Sequence, residues 1–340
     1  MGRVIAVANQ KGGVGKTTTA INLASSFAAC EVNTLLVDCD PQSNATSGLG
    51  LIKDPERLNT YHLLVGATSA EEAVQATALE QLWLIPAHKN LIGANLELVE
   101  TERREFRLRD ALAPLYARYQ FVVLDCPPAL DLLTLNALVA ADAVLIPMQA
   151  EYFALEGVSE LLDTIERIRG SFNPDLGIEG VVLTMFDERT NLAQQVTAEL
   201  KRFFGEKLCA TTIPRNIRLA EAPSHGKPAL LYDPRSKGAE SYIRLAKEII
   251  AHGIPAQEPV ADSADPGLHV PATDDVVAVV GLAMTEAVSG QTFGPTEVVA
   301  PNSADEQAAV VAGEAEAQVS QEQSGNVEEI PTTAEMDKSA

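Results

Sequence analysis

Two lysines stand five residues apart in the glycine-rich stretch ANQKGGVGKTTTAINLA, which begins at Ala8. A loop of this kind between a strand and a helix wraps tightly and turns successive N–H groups toward an anion at the positive end of the helix. In such a loop Lys16 reaches the β- and γ-phosphates of a nucleotide, the Thr17 hydroxyl holds Mg²⁺, and Thr18 caps the α-phosphate side. The loop therefore predicts a nucleotide site formed by Gly12, Gly13, Val14, Gly15, Lys16, Thr17 and Thr18.

Three aspartates follow apolar runs that are typical of buried strands. Asp38 and Asp40 lie in LLVDCDPQ, and Asp125 ends FVVLD. Ligands of doubly wound sheets bind at the carboxyl ends of the strands, so these acids are candidate metal-side carboxylates. Asp125 stands where a Walker B aspartate does and is expected to hold Mg²⁺ through water. The residues alone leave the roles of Asp38 and Asp40 open.

Apolar runs alternate with amphipathic stretches along the first 253 residues. The predicted strands are 3–9, 34–40, 82–87, 121–128, 143–148 and 179–186. The predicted helices are 17–29, 101–118, 155–170, 191–204 and 236–252. Continuously apolar strands that alternate with helices indicate an α/β fold, a doubly wound and mainly parallel sheet covered on both faces.

The loop departs from the usual pattern G-x-x-x-x-G-K-[ST], because Gln10 occupies the first glycine position and Lys11 follows it. KGGVGKTT resembles the deviant Walker A box of the ParA/MinD superfamily. The resemblance implies that Lys11 crosses a dimer interface and contacts the phosphates bound by the partner subunit. It also implies that Asp40 orients or activates the attacking water and that Asp38 lies beside the Mg²⁺ shell. The expected catalytic residues are thus Lys11, Lys16 and Asp40.

Several longer segments resemble the chromosomal ParA branch, also called Soj. They are 40–50, 125–138, 151–162, 183–196 and 213–228. From the resemblance to that branch we expect no helix-turn-helix domain before the loop. The resemblance also implies that Pro214, Arg215 and Asn216 flank the adenine of ATP. The family implies a slow, Mg²⁺-dependent ATPase that forms a homodimer with ATP and binds double-stranded DNA nonspecifically. It further implies partition of a chromosome or plasmid, with hydrolysis stimulated by a ParB-type centromere-binding partner.

A basic stretch is the expected DNA-binding surface. Residues 189–248 hold 11 bases and 6 acids in an otherwise acidic chain. Arg189 and Arg218 match family positions implicated in DNA contact, and the further candidates include Lys201, Arg202, Lys227 and Lys247. Contacts from such side chains to phosphates are blind to sequence and sensitive to salt. The alternative for each of these arginines and lysines is an ordinary mixed charged surface.

The last quarter of the chain differs in composition from the rest. Residues 254–340 carry 16 acidic residues, one basic residue and one aromatic residue. Their net charge of −15 accounts for most of the −22 of the whole chain. A segment of this kind buries too little apolar surface to offset chain entropy, so we expect a disordered acidic tail after an ATPase domain at 1–253. The tail either competes with DNA for the basic stretch or is simply solvated.

Rival interpretations make other demands on the sequence. A MinD-like membrane ATPase needs a basic amphipathic C-terminal helix, whereas the chain here continues into the acidic segment. A relative of the nitrogenase iron protein needs cysteine ligands, but the four cysteines lie in apolar segments without CxxC spacing. A nucleotide-controlled scaffold is the third alternative. With no apolar run near the ~20 residues of a membrane span and no signal peptide, we expect a cytoplasmic, nucleoid-associated protein without a membrane partner.

Overall fold

The computed structural model describes residues 2–151 and 154–253, and the predicted acidic tail lies outside the described residues. Their strands are β1 Arg3–Val7, β2 Thr34–Asp38, β3 Gln75–Ala76, β4 Leu82–Ile85, β5 Phe121–Asp125, β6 Ala143–Gln149 and β7 Gly177–Thr184. They form one sheet in the order β3-β4-β2-β5-β1-β6-β7. All neighbouring pairs are parallel except β3 with β4. The predicted α/β fold with a mainly parallel sheet is confirmed.

The α-helices of the described residues cover both faces of this sheet. They are α1 Lys16–Ala29, α2 Asn44–Gly48, α3 Thr60–Val65, α4 Ala70–Ala73, α5 Ala94–Glu97, α6 Arg107–Leu112, α7 Leu132–Ala140, α8 Ala154–Ser171, α9 Asn191–Phe204, α10 Ile217–Glu221, α11 Ala229–Tyr232 and α12 Lys237–Gly253. None of the helices within the described ranges is long and apolar enough to cross a membrane.

Two apolar cores lie on opposite sides of the sheet, because successive side chains of a strand point to opposite faces. Val4 and Ala6 of β1 belong to one core, which also contains residues of α7 and α8. Ile5 and Val7 belong to the other, which contains residues of α1 and α12. Burial on both faces explains why the strands have continuous apolar sequences rather than alternating ones.

The prediction of one helix over 101–118 is wrong. The chain instead forms a 3-10 turn at Arg104–Phe106, then α6, then a second 3-10 turn at Ala113–Leu115. Arg103 adopts a left-handed conformation with a φ of 55°, which a regular helix does not contain. Pro114 lacks the N–H that would continue the ladder of helical hydrogen bonds. The amphipathic pattern therefore correctly indicates that one face of this segment is buried. It does not show that the helix is broken.

The order in which strands are added to the sheet reverses direction at β1. From β1 the chain passes to β2, which lies beyond β5 on one side, while β6 and β7 extend the sheet on the other side. A crevice at the carboxyl ends of the strands is the usual ligand site of such a sheet. The glycine-rich loop leaves β1 at this crevice.

Candidate functional site

The phosphate-binding loop occupies the turn between β1 and α1. Gly13 and Gly15 have φ values of 74° and 88°, in the left-handed region that favours glycine. Gly12 has an ordinary φ, and a Cβ atom added there would meet nothing within 4 Å. Two of the three glycines are thus required by the backbone, and the first is not.

Side chains from the ends of β6 and β7 hold the loop by its carbonyl groups. Gln149 donates through Nε2 to the carbonyl oxygen of Gly13 at 3.0 Å, and the Thr184 hydroxyl donates to that of Val14 at 2.7 Å. The first N–H groups of a helix have no acceptor within the helix. A loop whose carbonyls are engaged elsewhere therefore offers mainly donors to an anion.

The two lysines of the loop have different surroundings. Lys16 is only 7% exposed, and its ammonium group donates to the main-chain carbonyl of Lys11 at 3.0 Å. Burial lowers the pKa of Lys16, although Asp125, Cys126 and Asp40 oppose that shift. The Lys11 side chain is 40% exposed and its Nζ lies 2.6 Å from Oε2 of Glu151. Lys16 thus belongs to the interior of the fold, while Lys11 lies at the surface.

Asp38 and Asp125 lie side by side, because they are register partners at the ends of β2 and β5. Asp38 is fully buried and accepts hydrogen bonds from the main-chain N–H of Asp40 at 3.1 Å and from the N–H and hydroxyl of Thr46 at 2.8 and 2.7 Å. Burial raises its pKa to about 6. The expected place of Asp38 beside Mg²⁺ stays a prediction, and its contacts show that it ties α2 to the sheet.

Asp125 is the buried acid best suited to a cation. Neither of its carboxylate oxygens makes a hydrogen bond of ordinary geometry to any described residue, although the Thr17 hydroxyl is close enough to lower its pKa. Burial, followed by the charge of Asp38, raises that pKa overall. A buried carboxylate without a partner is costly unless a ligand satisfies it. Asp125 and the hydroxyl of Thr17 are hard oxygen donors, so the pair fits Mg²⁺.

Asp40 follows β2 at the mouth of the same crevice. It is 8% exposed, and its Oδ1 accepts a hydrogen bond from the N–H of Gln42 at 2.8 Å. Its charge acts on Lys16, which places the two groups near each other. An acid so placed can hold or accept a proton of a water molecule near the phosphates.

A cavity of about 470 Å³ adjoins the loop on its α1 side. Gly15 and Thr18 line it together with the predicted adenine-flanking residues Pro214, Arg215 and Asn216. The Asn216 side chain caps α10 by accepting from the N–H of Arg218 at 2.8 Å, which fixes this segment. The structure thus brings the loop and the predicted base-flanking residues to one cavity of a size that suits a small ligand.

Sequence reasoning missed several residues that shape this site. They are Asn9, Thr46, Gln149, Glu151 and Thr184. Most of them lie at or just beyond the carboxyl end of a strand. That position is the signal that could have found them, since these ends all converge on the crevice.

The predicted DNA-binding arginines are exposed but already paired with acids. Arg189 donates to both carboxylate oxygens of Asp187 at 2.8 and 2.6 Å, which holds the pKa of Asp187 at about 2. Arg218 lies 2.8 Å from Glu221 and 3.3 Å from Asp233.

The other DNA-binding candidates lie on separate elements. Arg202 pairs with Glu199 at 3.0 Å on α9. Lys201 also lies on α9, Lys227 precedes α11, and Lys247 lies on α12. Within the described part of the chain, no salt bridge is found for these three lysines. Among the six candidates, the three arginines are therefore paired with acids and the three lysines are not.

Known proteins resemble this chain in sequence. A family model described as an AAA domain matches residues 2–178. The chromosome partitioning protein ParA of Myxococcus xanthus is 53% identical over 255 residues, covering 75% of this chain and 90% of that protein. The sporulation initiation inhibitor protein Soj of Bacillus subtilis is 54% identical over 253 residues, covering 74% of this chain and 100% of that protein.

Solved structures share the fold as well. Cobyrinic acid a,c-diamide synthase from Mycobacterium smegmatis, solved with a bound ATP analogue and magnesium, superposes with a TM-score of 0.65. It is 35% identical and the match covers 74% of this chain and 96% of that one.

The loop between β1 and α1, with a second lysine inside it, places the chain among P-loop nucleotide hydrolases of the deviant Walker A type. About half of the aligned residues are shared with the two partition-type relatives over at least nine tenths of their lengths. The chain belongs to the ParA/Soj family of partition ATPases.

Proposed function

We propose that this protein is an ATP-gated dimer that binds DNA without sequence preference and moves a chromosome or plasmid together with a ParB-type partner. The observation that carries the proposal is the contrast between the two loop lysines. Lys16 is buried beside the carboxylates of its own subunit, whereas the ammonium group of Lys11 lies at the surface of the same loop. One lysine suffices to bind phosphates within a subunit, so the second is available to the nucleotide of another.

The reaction is hydrolysis of the terminal phosphoanhydride of ATP by water in line with the leaving group. In this chain the loop N–H groups and Lys16 bind and orient the phosphates, and Asp40 holds the proton of the attacking water. Mg²⁺, held by Thr17 and Asp125, would neutralise charge on the phosphate oxygens when bound. The cavity beside Pro214, Arg215 and Asn216 receives the base.

ATP would act as an adhesive between two subunits. Its phosphates attract Lys16 from one subunit and Lys11 from the other, because cations on both sides neutralise more of the charge. ADP offers one phosphate fewer and would hold the pair less firmly. Hydrolysis therefore separates the subunits, and a ParB-type partner that speeds hydrolysis would control where this happens.

DNA binding by the dimer would follow from doubled charge. Each subunit brings Arg189, Arg218 and the lysines of the basic stretch, so that pairing about doubles the number of phosphate contacts. Affinity that depends on the number of phosphates neutralised then depends on ATP. A protein working in this way is cytoplasmic and associates with the nucleoid.

The test is the assembly state of the wild type and of Asp40→Ala, measured by size-exclusion chromatography with light scattering. Each is loaded with ADP or ATP, with and without a duplex of random sequence. We expect Asp40→Ala to hydrolyse ATP about 100-fold more slowly and to elute with ATP as a dimer that retains duplex. With ADP it should elute as a monomer without duplex.

The matched control is Asp175→Ala, which removes an exposed aspartate from the segment before β7. It should behave as the wild type in every condition. Persistence of the Asp40→Ala protein as a monomer with ATP would contradict the dimer, and rapid turnover by this variant would contradict the role of Asp40.

A further inference from the structure

The Lys11 side chain has a partner inside its own subunit. Its Nζ lies 2.6 Å from Oε2 of Glu151, and the two side chains are 40% and 49% exposed. Glu151 follows β6 by two residues, just as Asp40 follows β2 by two. The lysine proposed to serve a second subunit is thus neutralised by a carboxylate of the first.

The main chain of Lys11 is fixed, so that only its side chain can be redirected. Its N–H donates to Oδ1 of Asn9 at 3.0 Å, and Asn9 is itself fixed by donating to the carbonyl of Pro147 at 2.9 Å. Its carbonyl accepts from Nζ of Lys16 at 3.0 Å. A change of partner for Lys11 therefore requires rotation of its four-carbon stem and no rearrangement of the loop.

We propose that Glu151 is an internal counter-ion which occupies Lys11 in the single subunit, so that dimer closure must exchange this ion pair for the partner's triphosphate. The inference rests on the proposed ATP-gated dimer and adds a regulation to it. The pair acts as an autoinhibitory contact: a subunit with no triphosphate opposite it keeps its lysine occupied.

The ion pair is strong enough to weaken dimerisation but too weak to prevent it. An ion pair exposed to this degree shifts an equilibrium by a factor of about 1.4 to 5. Two such pairs break when a symmetric dimer forms, so the combined effect on dimerisation is about two- to thirtyfold. The terminal phosphate of ATP carries more charge than one carboxylate and displaces it, whereas ADP lacks that group. Glu151 would thereby sharpen the discrimination between the two nucleotides.

The test is the dimerisation of Glu151→Gln, measured by sedimentation velocity over a series of protein concentrations with Mg²⁺ and a non-hydrolysable ATP analogue. Glutamine keeps the length of the side chain and removes its charge. We expect half-dimerisation at a protein concentration about two- to thirtyfold lower than for the wild type. Unchanged or weaker dimerisation would overturn the proposal. Affinity for fluorescent ADP should stay within about twofold, and its loss would assign Glu151 to the nucleotide pocket instead.

Two further variants separate the inference from the function on which it rests. Asp187→Asn removes a charge from the same small cavity, which Glu151 and Asp187 both line, without touching Lys11. It should dimerise as the wild type does, and a gain equal to that of Glu151→Gln would reduce the effect to general charge and overturn the counter-ion. Lys11→Gln, alone or with Glu151→Gln, should stay monomeric. A wild type that never dimerises with the analogue would refute the proposed function itself, whereas dimerisation of the wild type but no gain in Glu151→Gln would refute the counter-ion alone.

Discussion

The phosphate-binding loop and the basic stretch at 189–248 hold their charges in opposite ways. At the loop, Lys16 and the neighbouring Asp125 of β5 are almost or fully buried, and hydrogen bonds from the ends of β6 and β7 fix the loop backbone. In the basic stretch, Arg189 and Arg218 are exposed and are bound to carboxylates of nearby residues. The first region is organised before its ligand arrives, and the second must give up existing partners to bind one.

This difference suits the two ligands proposed for these regions, a nucleotide and DNA. A nucleotide has one shape, and preorganised donors bind it without further ordering. DNA of any sequence offers a dense row of phosphates, and an exposed ion pair is weak enough to be exchanged for one of them. The comparison predicts that substitutions in the loop act through backbone geometry, whereas those in the basic stretch act through charge and salt.

The largest effect is expected from a pair of glycine substitutions in the loop. Gly15→Val places a branched side chain at a φ of 88°, where a left-handed backbone costs about 1 to 2 kcal/mol. ATP affinity should fall about five- to thirtyfold by fluorescence titration, since that strain must be relieved by moving the loop. Gly12 has an ordinary φ and open space around it, so the ATP affinity of Gly12→Val should stay within about twofold of the wild type.

The same pair also tests the dimer. An added side chain at Gly12 meets nothing in its own subunit, so any loss of ATP-dependent dimerisation must come from a second subunit. We expect Gly12→Val to bind ATP and remain a monomer in light scattering. Thermal unfolding without nucleotide controls for misfolding. Equal loss of ATP affinity in both variants would show that the geometry of the loop does not distinguish the two positions.

The extent to which the sequence predicted each region follows from how local its determinants are. The loop was predictable because its glycines, lysine and threonines are neighbours in the chain, and the strand before it is continuously apolar. The contact of Lys11 with Glu151 joins residues 140 apart in sequence, and no local pattern encodes it. Arg218 and its partner Asp233 are likewise 15 residues apart, so no local pattern predicts that contact, whereas its other partner, Glu221, is a helical neighbour three residues away.

The errors in the fold have equally local causes. The pattern over 101–118 is amphipathic, but Pro114 and the left-handed Arg103 divide it into a short helix and two turns. Strand β3 has only two residues and pairs with β4 in the antiparallel direction, which is too short to produce a periodic signal. Buried strands with several apolar residues carried the prediction of the sheet.

A smaller effect is expected in the basic stretch. Arg218→Ala should lower the affinity of the ATP-bound dimer for random duplex severalfold and reduce the slope of log affinity against log salt by about two, one for each subunit. Glu221→Gln removes the carboxylate that lies 2.8 Å from Arg218 and should raise DNA affinity. Fluorescence anisotropy over a salt series measures both.

Two controls belong to this comparison. Arg118→Ala removes an exposed arginine outside the basic stretch and should leave the salt slope unchanged. ATP-dependent dimerisation should survive in all three variants. If Arg218→Ala kept the wild-type affinity and slope while Arg118→Ala lost them, the DNA-binding surface would have to be placed elsewhere.

The smallest effect is expected at Glu179, a buried acid outside the proposed nucleotide site. Its substitution measures how burial of a charge alone changes the free energy of unfolding. Glu179 on β7 has a side chain only 2% exposed, and the guanidinium of Arg3 lies 2.6 Å from its Oε2 but not at an angle that makes a hydrogen bond. Burial raises the pKa of Glu179, against the weaker opposing effects of Arg3, Lys207 and His252. A carboxyl whose pKa is raised by folding stabilises the protein while it is protonated and loses that contribution as the pH rises through its pKa.

Glu179→Gln has no such loss, so its free energy of unfolding in urea should improve relative to the wild type between pH 4 and pH 8, by less than about 1.5 kcal/mol. If the free energy of unfolding of the wild type instead rose relative to that of the variant over this range, the ion pair with Arg3 would outweigh the cost of burying the charge. The difference between Asp125 and Glu179 would then be that Asp125 lacks such an ion pair, and not that it binds a ligand.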